Sequence, residues 1–265
     1  METIESNILG LIESLIKKGN SNIRLFAENL LCKLKEICSY KDLRNIVEKR
    51  LFEKNIYFIR HAEAMHNVLE KKYFGDFSKC NVYDPELTAD GKNQTKKAIE
   101  KLIKENINFE SVFVSPLKRT IQTYFLVQNY LNKDSKVYIT DFAREVLSYC
   151  DKNKGKKLSL LKEEYKDCNF NFDYMTKEYW WFDLGEDKKD ELEIDKIFNL
   201  RLEIFILWLV FRPEKNILII SHSHVFLNLQ DNGIYNADLA KMDNKILLTK
   251  LLEILRYLKK LSYKK

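Results

Sequence analysis

The stretch "IYFIRHAEAMHN" (56–67) changes character halfway. Its first five residues, "IYFIR", form a short apolar, β-rich run, and the run ends on Arg60 and His61. Three later runs have the same design: "SVFVS" (111–115), "KVYIT" (136–140) and "NILIIS" (216–221). Helical stretches lie between them. Ala98, Ile99, Leu102 and Ile103 give residues 92–107 one apolar face, and residues 117–131 and 190–211 also read as helices. Strands alternating with helices predict βαβ crossovers. The predicted fold is α/β: three layers, α/β/α, around a mainly parallel central sheet. Each run ends in polar side chains at its carboxyl side: Arg60-His61, Ser115-Pro116 and Ser221-His222. Open α/β sheets bind ligands beyond that edge, so the three ends predict one site.

Upstream, residues 1–52 read as helices throughout and form a helical N-terminal extension. Ile4, Ile8, Leu11 and Leu15 draw one apolar stripe before Gly19, a helix stop. Ser21 is the expected N-cap of a second helix striped by Ile23, Phe26, Leu30, Leu34 and Ile37. Leu43, Ile46, Val47 and Leu51 mark a third. These stripes need cover, from the rest of the chain, a partner protein or a second copy. Residues 53–265 make the main domain. Within it, about 146–190 mixes charge with aromatics ("NFNFDYM", "YWWFDL") and reads as an insertion over the site, partly a lid.

The composition excludes several classes. The 265 residues carry 45 basic and 39 acidic side chains, a net +6 of mixed sign that gives no nucleic-acid signature. It suits a small anionic substrate. The five cysteines (Cys32, Cys38, Cys80, Cys150, Cys168) are odd in number and lack a C-x-x-C, which predicts free thiols in a reducing compartment. "METIESN" lacks a basic n-region, so no signal peptide is expected, and the longest apolar run, "IFILWLVF" (204–211), is too short to span a bilayer. A cytoplasmic protein with no membrane contact is expected.

All four histidines fall in two places: His61 and His66 in the opening stretch, His222 and His224 in "SHSHVF" (221–226). H-x-H after a strand can hold a metal, because alternate residues on an extended segment can face one ion. Catalytic zinc takes three protein ligands, yet no carboxylate follows His224 until Asp231, and Arg60 beside His61 would repel a cation. The same residues suit an anion better. Arg60, and Arg119 on the first turn of a helix, offer guanidinium forks that match phosphate oxygens. A neutral imidazole among them can attack phosphorus. The sequence therefore predicts a phosphoryl site with no metal and no cofactor.

"RHAEAMHN" (60–67) resembles the R-H-G-x-x-x-x-N signature of the histidine phosphatase superfamily, the phosphoglycerate mutase-like fold. "LTADGKNQ" (87–94) resembles its L-T-x-x-G-x-x-Q element, "SPLKRTIQT" (115–123) its S-P-L-x-R-x-x-Q-T element, and "SHSHVF" its second histidine motif, all in the family's order. Ala62 stands where Gly is usual, as in the plant and fungal R-H-A branch. "REVLSYCDK" (144–152) and "IYNADL" (234–239) are similar to further elements of that branch. The resemblance covers about residues 55–240. It implies a phosphohydrolase acting through phosphohistidine on a small phosphate ester, with phosphoglycerate mutase-type transfer, or a weakly active phospho-ligand or partner binder, as rival readings.

The resemblance also implies roles. His61 is the nucleophile. Arg60, Arg119 and His222 hold the phosphoryl oxygens, with His222 protonated or donating. Asn67 orients His61 or touches a phosphate oxygen, or merely caps a helix. Glu145 protonates the leaving oxygen, with Asp141 and Asp151 as nearby rivals. Ser115, His66 and His224 stand behind these groups; His224 takes a place where the family usually has Gly. Thr88 either caps or bonds a site loop, and Gln94 and Gln122 brace the scaffold. "KNKGKK" (152–157) is either a clamp for a second anionic group or a solvated loop.

Overall fold

The structure is a computed structural model that describes residues 2–17, 23–74, 76, 79–147, 151–175, 177–181 and 195–261. The expected cap at Ser21, stop at Gly19 and thiol Cys150 lie outside the described residues.

Six strands form one sheet: β1 (Asn55–Arg60), β2 (Ser111–Val114), β3 (Lys136–Ile139), β4 (Phe170–Asn171), β5 (Asn216–Ser221) and β6 (Leu239–Lys241), in the order β4-β3-β2-β5-β1-β6. All neighbours are parallel except β1 and β6. The four strands read from the sequence are the four in the middle. The sequence reading lacked both edge strands.

Side chains alternate across the sheet as a two-residue period requires. Ile56 and Phe58 of β1 enter one apolar cluster, while Tyr57 and Ile59 enter the other. The second face is covered by α5 (Ala89–Glu105) and α6 (Lys118–Val127) together with Leu161, Met175 and Trp180 from the stretch after β3. With few glycines available, α5 ends on Asn106 in the left-handed conformation (φ 46°), one of the few residue types that tolerate it.

The first face carries α8 (Asp195–Phe211), α9 (Ser223–Gln230) and α10 (Asn244–Leu261). Helix α8 is apolar nearly all round, with every residue from Ile204 to Phe211 buried. Such a helix must be enclosed. The sheet covers one side. The first three helices, α1 (Glu2–Lys17), α2 (Ile23–Ile37) and α3 (Tyr40–Phe52), cover the other. Ile8, Ile12, Leu15, Phe26, Leu30 and Leu34 share one cluster with Phe58, Phe113 and Trp208. The cover that the N-terminal stripes need is therefore supplied within this chain, and α1–α3 form a further layer on α8.

Polar bonds fasten that layer. Arg50 donates to the carbonyls of Val210, Phe211 and Arg212 at the end of α8 and to Glu5 Oε2 at 2.7 Å. Cations belong at a helix carboxyl end, where the carbonyls have no helical partner. Among the described residues the cysteines are free, and no helix is long and apolar enough to cross a membrane.

Candidate active site

The register of the sheet builds the site. Arg60 on β1 pairs with Ser221 on the adjacent parallel strand β5. The next residue of each, His61 and His222, therefore leaves the carboxyl edge side by side, with ring centroids 5.2 Å apart. On the far side of β5, Ser115 follows β2, and its amide donates to the Ile220 carbonyl at 3.1 Å. His66, on the first turn of α4 (Met65–Lys72), lies 5.6 Å from the His61 ring. Arg119 rises from the start of α6. His61, His66, Ser115, Arg119 and His222 are buried polar groups, and Arg60 is partly exposed.

Hydrogen bonds set the histidine tautomers. His61 Nδ1 lies 2.8 Å from the Ala62 carbonyl, which can only accept, so the proton is on Nδ1 and the Nε2 lone pair is free. Asn67 Nδ2 donates to His66 Nε2 at 3.1 Å, which leaves the His66 proton on Nδ1. Ser115 Oγ lies 2.8 Å from His222 Nε2 and accepts from the Leu117 amide at 3.5 Å, so its own proton is available for the ring. With the Ser115 hydroxyl donating to Nε2, the His222 proton sits on Nδ1. Burial, then the positive charges of Arg119 and Arg60, hold the His61 pKa well below 6.5. Burial and Arg119 do the same for His222. Both rings are neutral at neutral pH, so His222 is a donor here without being protonated twice.

Four buried N–H groups have no hydrogen-bond partner: Arg60 Nε, Arg119 Nε, His66 Nδ1 and His222 Nδ1. Buried donors are nearly always satisfied. Four orphans around one neutral imidazole make a place for an acceptor-rich anion. The rest of each guanidinium is fixed. Arg60 Nη1 donates to the Ile234 carbonyl at 2.9 Å. Arg119 donates to the Lys152 carbonyl at 2.7 Å and to Asn153 Oδ1 at 2.8 Å. Burial lowers the Arg119 pKa to about 10, so it remains a cation.

Glu145 is also buried. Its Oε1 accepts from the Val146 amide at 2.9 Å; its Oε2 accepts from the His224 amide at 3.3 Å and from His224 Nδ1 at 3.2 Å. Burial alone would raise its pKa, but the His224 bond and charge, the Val146 amide and Arg119 together more than offset that and the net shift is downward. Of its rivals, Asp141 starts a one-turn helix that hydrogen-bonds Arg144, and Asp151 pairs with Lys154 at 2.9 Å. Asn67 bonds the His66 ring instead of the His61 ring, and its Oδ1 accepts from the Ala64 amide at 3.0 Å, closing the first turn of α4.

The frame beneath is bonded as its motifs require. Ala62 donates to Thr123 Oγ1 at 3.1 Å. Gln94 accepts from the Glu63 amide and Gln122 from the Leu87 amide. Thr88 both caps α5 at the Gly91 amide and bonds Glu63 Oε1. A Cβ on Gly91 would collide with the Glu63 carbonyl, which explains the glycine of "LTADGKNQ". In "KNKGKK", Lys152 pairs with Glu70, Lys154 with Asp151 and Lys156 with Glu164, and Lys157 lies over the Tyr179 ring.

Two participants were not singled out from the sequence. Asn153 bridges Arg119 to the Val146 carbonyl, and Asn236 Nδ2 donates to the His61 carbonyl at 3.0 Å. Asn236 sits inside "IYNADL", so a signal was present; Asn153 was hidden in a lysine run. Among the described residues no three His, Cys, Asp or Glu side chains are grouped to hold a metal. A cavity of about 690 Å³ opens at the β3–β4 edge, by Lys136, Tyr165 and Phe170; no histidine or arginine lines it.

Comparisons with known proteins give the family and the fold. Residues 56–242 match the Histidine phosphatase superfamily (branch 1). Phosphomutase-like protein 3 of Candida albicans is 26% identical over 200 residues, 68% of this chain and 59% of that protein. Phosphoglycerate mutase-like protein 1 of Arabidopsis thaliana is 26% identical over 197 residues, 64% of this chain and 68% of the relative. The chain thus spans less than two thirds of the Candida protein. The ecdysone phosphate phosphatase of Bombix mori, solved with tungstate, aligns with a TM-score of 0.50 at 14% identity, over 72% of this chain and 90% of that one, a likeness of fold. Because the family match covers most of the chain and spans the strands, the histidines and both arginines, the protein belongs to the histidine phosphatase superfamily.

Proposed function

We propose that this protein is a phosphomonoesterase that works through a phosphohistidine on His61, using no metal. The observation that carries the reading is a neutral, buried His61 with a free Nε2, ringed by four unpartnered N–H donors. His61 Nε2 attacks phosphorus. Arg60, Arg119 and His222 bind the equatorial oxygens, whose charge they stabilise as transfer proceeds. Glu145 serves the leaving oxygen and afterwards the attacking water. His66 Nδ1, buried and unpartnered, serves as a further donor.

Phosphoglycerate mutase-type transfer uses the same histidine and is the second reading, favoured by the relatives' names. A mutase must retain a phosphorylated product. The pairing of Lys152, Lys154 and Lys156 with carboxylates leaves fewer cations to do so and supports hydrolysis. The test is turnover of a generic phosphomonoester in a strong chelator, with inorganic phosphate as product. Activity that vanishes with chelator and returns with zinc overturns the reading. Phosphoryl transfer to an added hydroxy acid in preference to water favours the mutase.

A further inference from the structure

Building on the roles given above to His61 and Glu145, we propose that His224 is the proton reservoir of the general acid, so that the leaving-group proton is held by a His224–Glu145 pair instead of by the carboxyl alone. The geometry is specific. His224 is the second residue of α9, and both its amide and its ring Nδ1 approach the same oxygen, Glu145 Oε2, at 3.3 and 3.2 Å. The other oxygen takes the Val146 amide. His222, the N-cap of α9, makes no side-chain cap bond, so the carboxylate of Glu145 occupies that helix end. Three N–H donors and a helix N-terminus favour the ionised carboxylate.

A carboxylate held ionised in this way carries no proton to give near neutral pH, yet an alkoxide leaving group needs one. The nearest titratable proton is on His224 Nδ1. The groups around the pair are Arg60 from β1, Arg119 from α6 and Lys152 from the inserted segment, all cations that oppose a charged imidazole. The Glu145 contact prevails over them and over burial, and the His224 pKa is raised above 6.5. The ring is not there to fill space, since 63% of its side-chain surface is exposed.

The proton count closes over a cycle. When the P–Nε2 bond forms and the P–O bond breaks, the departing oxygen takes a proton from Glu145 Oε2, supplied by His224 Nδ1. The pair is left as carboxylate and neutral imidazole. When water attacks the phosphohistidine, its proton passes to Glu145 and back to His224, the P–N bond breaks, and phosphate leaves.

The test compares wild type, His224→Gly and His224→Gln on two probes, glycerol phosphate and p-nitrophenyl phosphate, across pH. Nitrophenolate leaves without a proton, while the alkoxide does not. Both variants should lower the alkyl-to-aryl kcat ratio at neutral pH by about tenfold, and the alkaline limb for glycerol phosphate should move to lower pH. An unchanged ratio overturns the proposal. Restoration of the wild-type ratio by Gln, which keeps a donor but no titrating proton, overturns it too and leaves His224 as a simple hydrogen-bond donor. If wild-type protein forms no phosphohistidine from p-nitrophenyl phosphate, the underlying reading of His61 has failed, and that result is read independently of the ratio.

Discussion

Two buried cationic clusters lie on opposite sides of this molecule, and they are built differently. At the carboxyl edge of the sheet, Arg60 and Arg119 each keep an Nε without a partner beside two neutral histidines. At the end of α8, Arg212 is fully engaged: Nε and Nη2 grip Glu214 at 2.9 and 2.7 Å, Nη1 reaches Glu13 at 3.0 Å, and Nη2 also meets Tyr138 Oη at 2.7 Å. Burial lowers the pKa of Arg119. Burial would lower that of Arg212 as well, but Glu214 reverses the direction. One cluster is closed on itself and holds α1 to the body of the fold. The other leaves donors unpaired. Burial of charge marks both; the unpaired donors set the first, the proposed binding site, apart from the structural clamp.

Substitution should pull the two apart. Arg119→Ala should lower kcat by about 10²–10³-fold, the usual cost of removing a preorganised donor to a charged transition state. Steady-state rates on a generic phosphomonoester check this, and a fall below threefold would mean the open cluster is not the site. Arg212→Met should leave turnover per folded molecule nearly intact but cost about 3–5 kcal/mol of stability, because it strands Glu214 as a buried, unpaired carboxylate. Denaturant unfolding reads that, and a neutral result would make the clamp dispensable.

Inorganic phosphate offers a milder contrast. At about a hundred times its Kd it should stabilise wild type and Arg212→Met by about 2.7 kcal/mol, with no shift for Arg60→Ala/Arg119→Ala. Thermal unfolding with and without phosphate makes the comparison. The smallest effect belongs to the Glu145–His224 pair. Glu145 has a depressed pKa, so its share of stability is present above about pH 4.5 and is lost as pH falls through the folded value. His224 has a raised pKa, so its share is full below about pH 6.5 and is lost as pH rises through the folded value. With one partner largely exposed, solvent screening holds the pair to at most about 1 kcal/mol in that window. A double-mutant cycle measured between those limits tests it.

The four central strands were legible because each is a β-rich apolar run closed by polar residues, and the site followed because those polar residues share one edge. Strands β4 and β6 were not, since "FN" and "LAK" are too short to show a period and exist only by pairing with β3 and β1. The N-terminal stripes were visible, but their cover was not: α8 is apolar on every side, and its sequence does not say what encloses it. Glu145 was reached through the resemblance, whereas its bond to His224, 79 residues away, comes from the approach of α9 to the strand-end loop. Asn153 gave no sequence signal, because its role depends on where Arg119 lies.

The central claim is that His61 takes the phosphoryl group. Rapid quenching under alkaline conditions after mixing with p-nitrophenyl phosphate, followed by peptide mapping, tests it directly. An acid-labile phosphate on the peptide bearing His61, absent from His61→Ala, is the predicted result. Turnover with no phosphate on that peptide, or His61→Ala hydrolysing as fast as wild type, would contradict it.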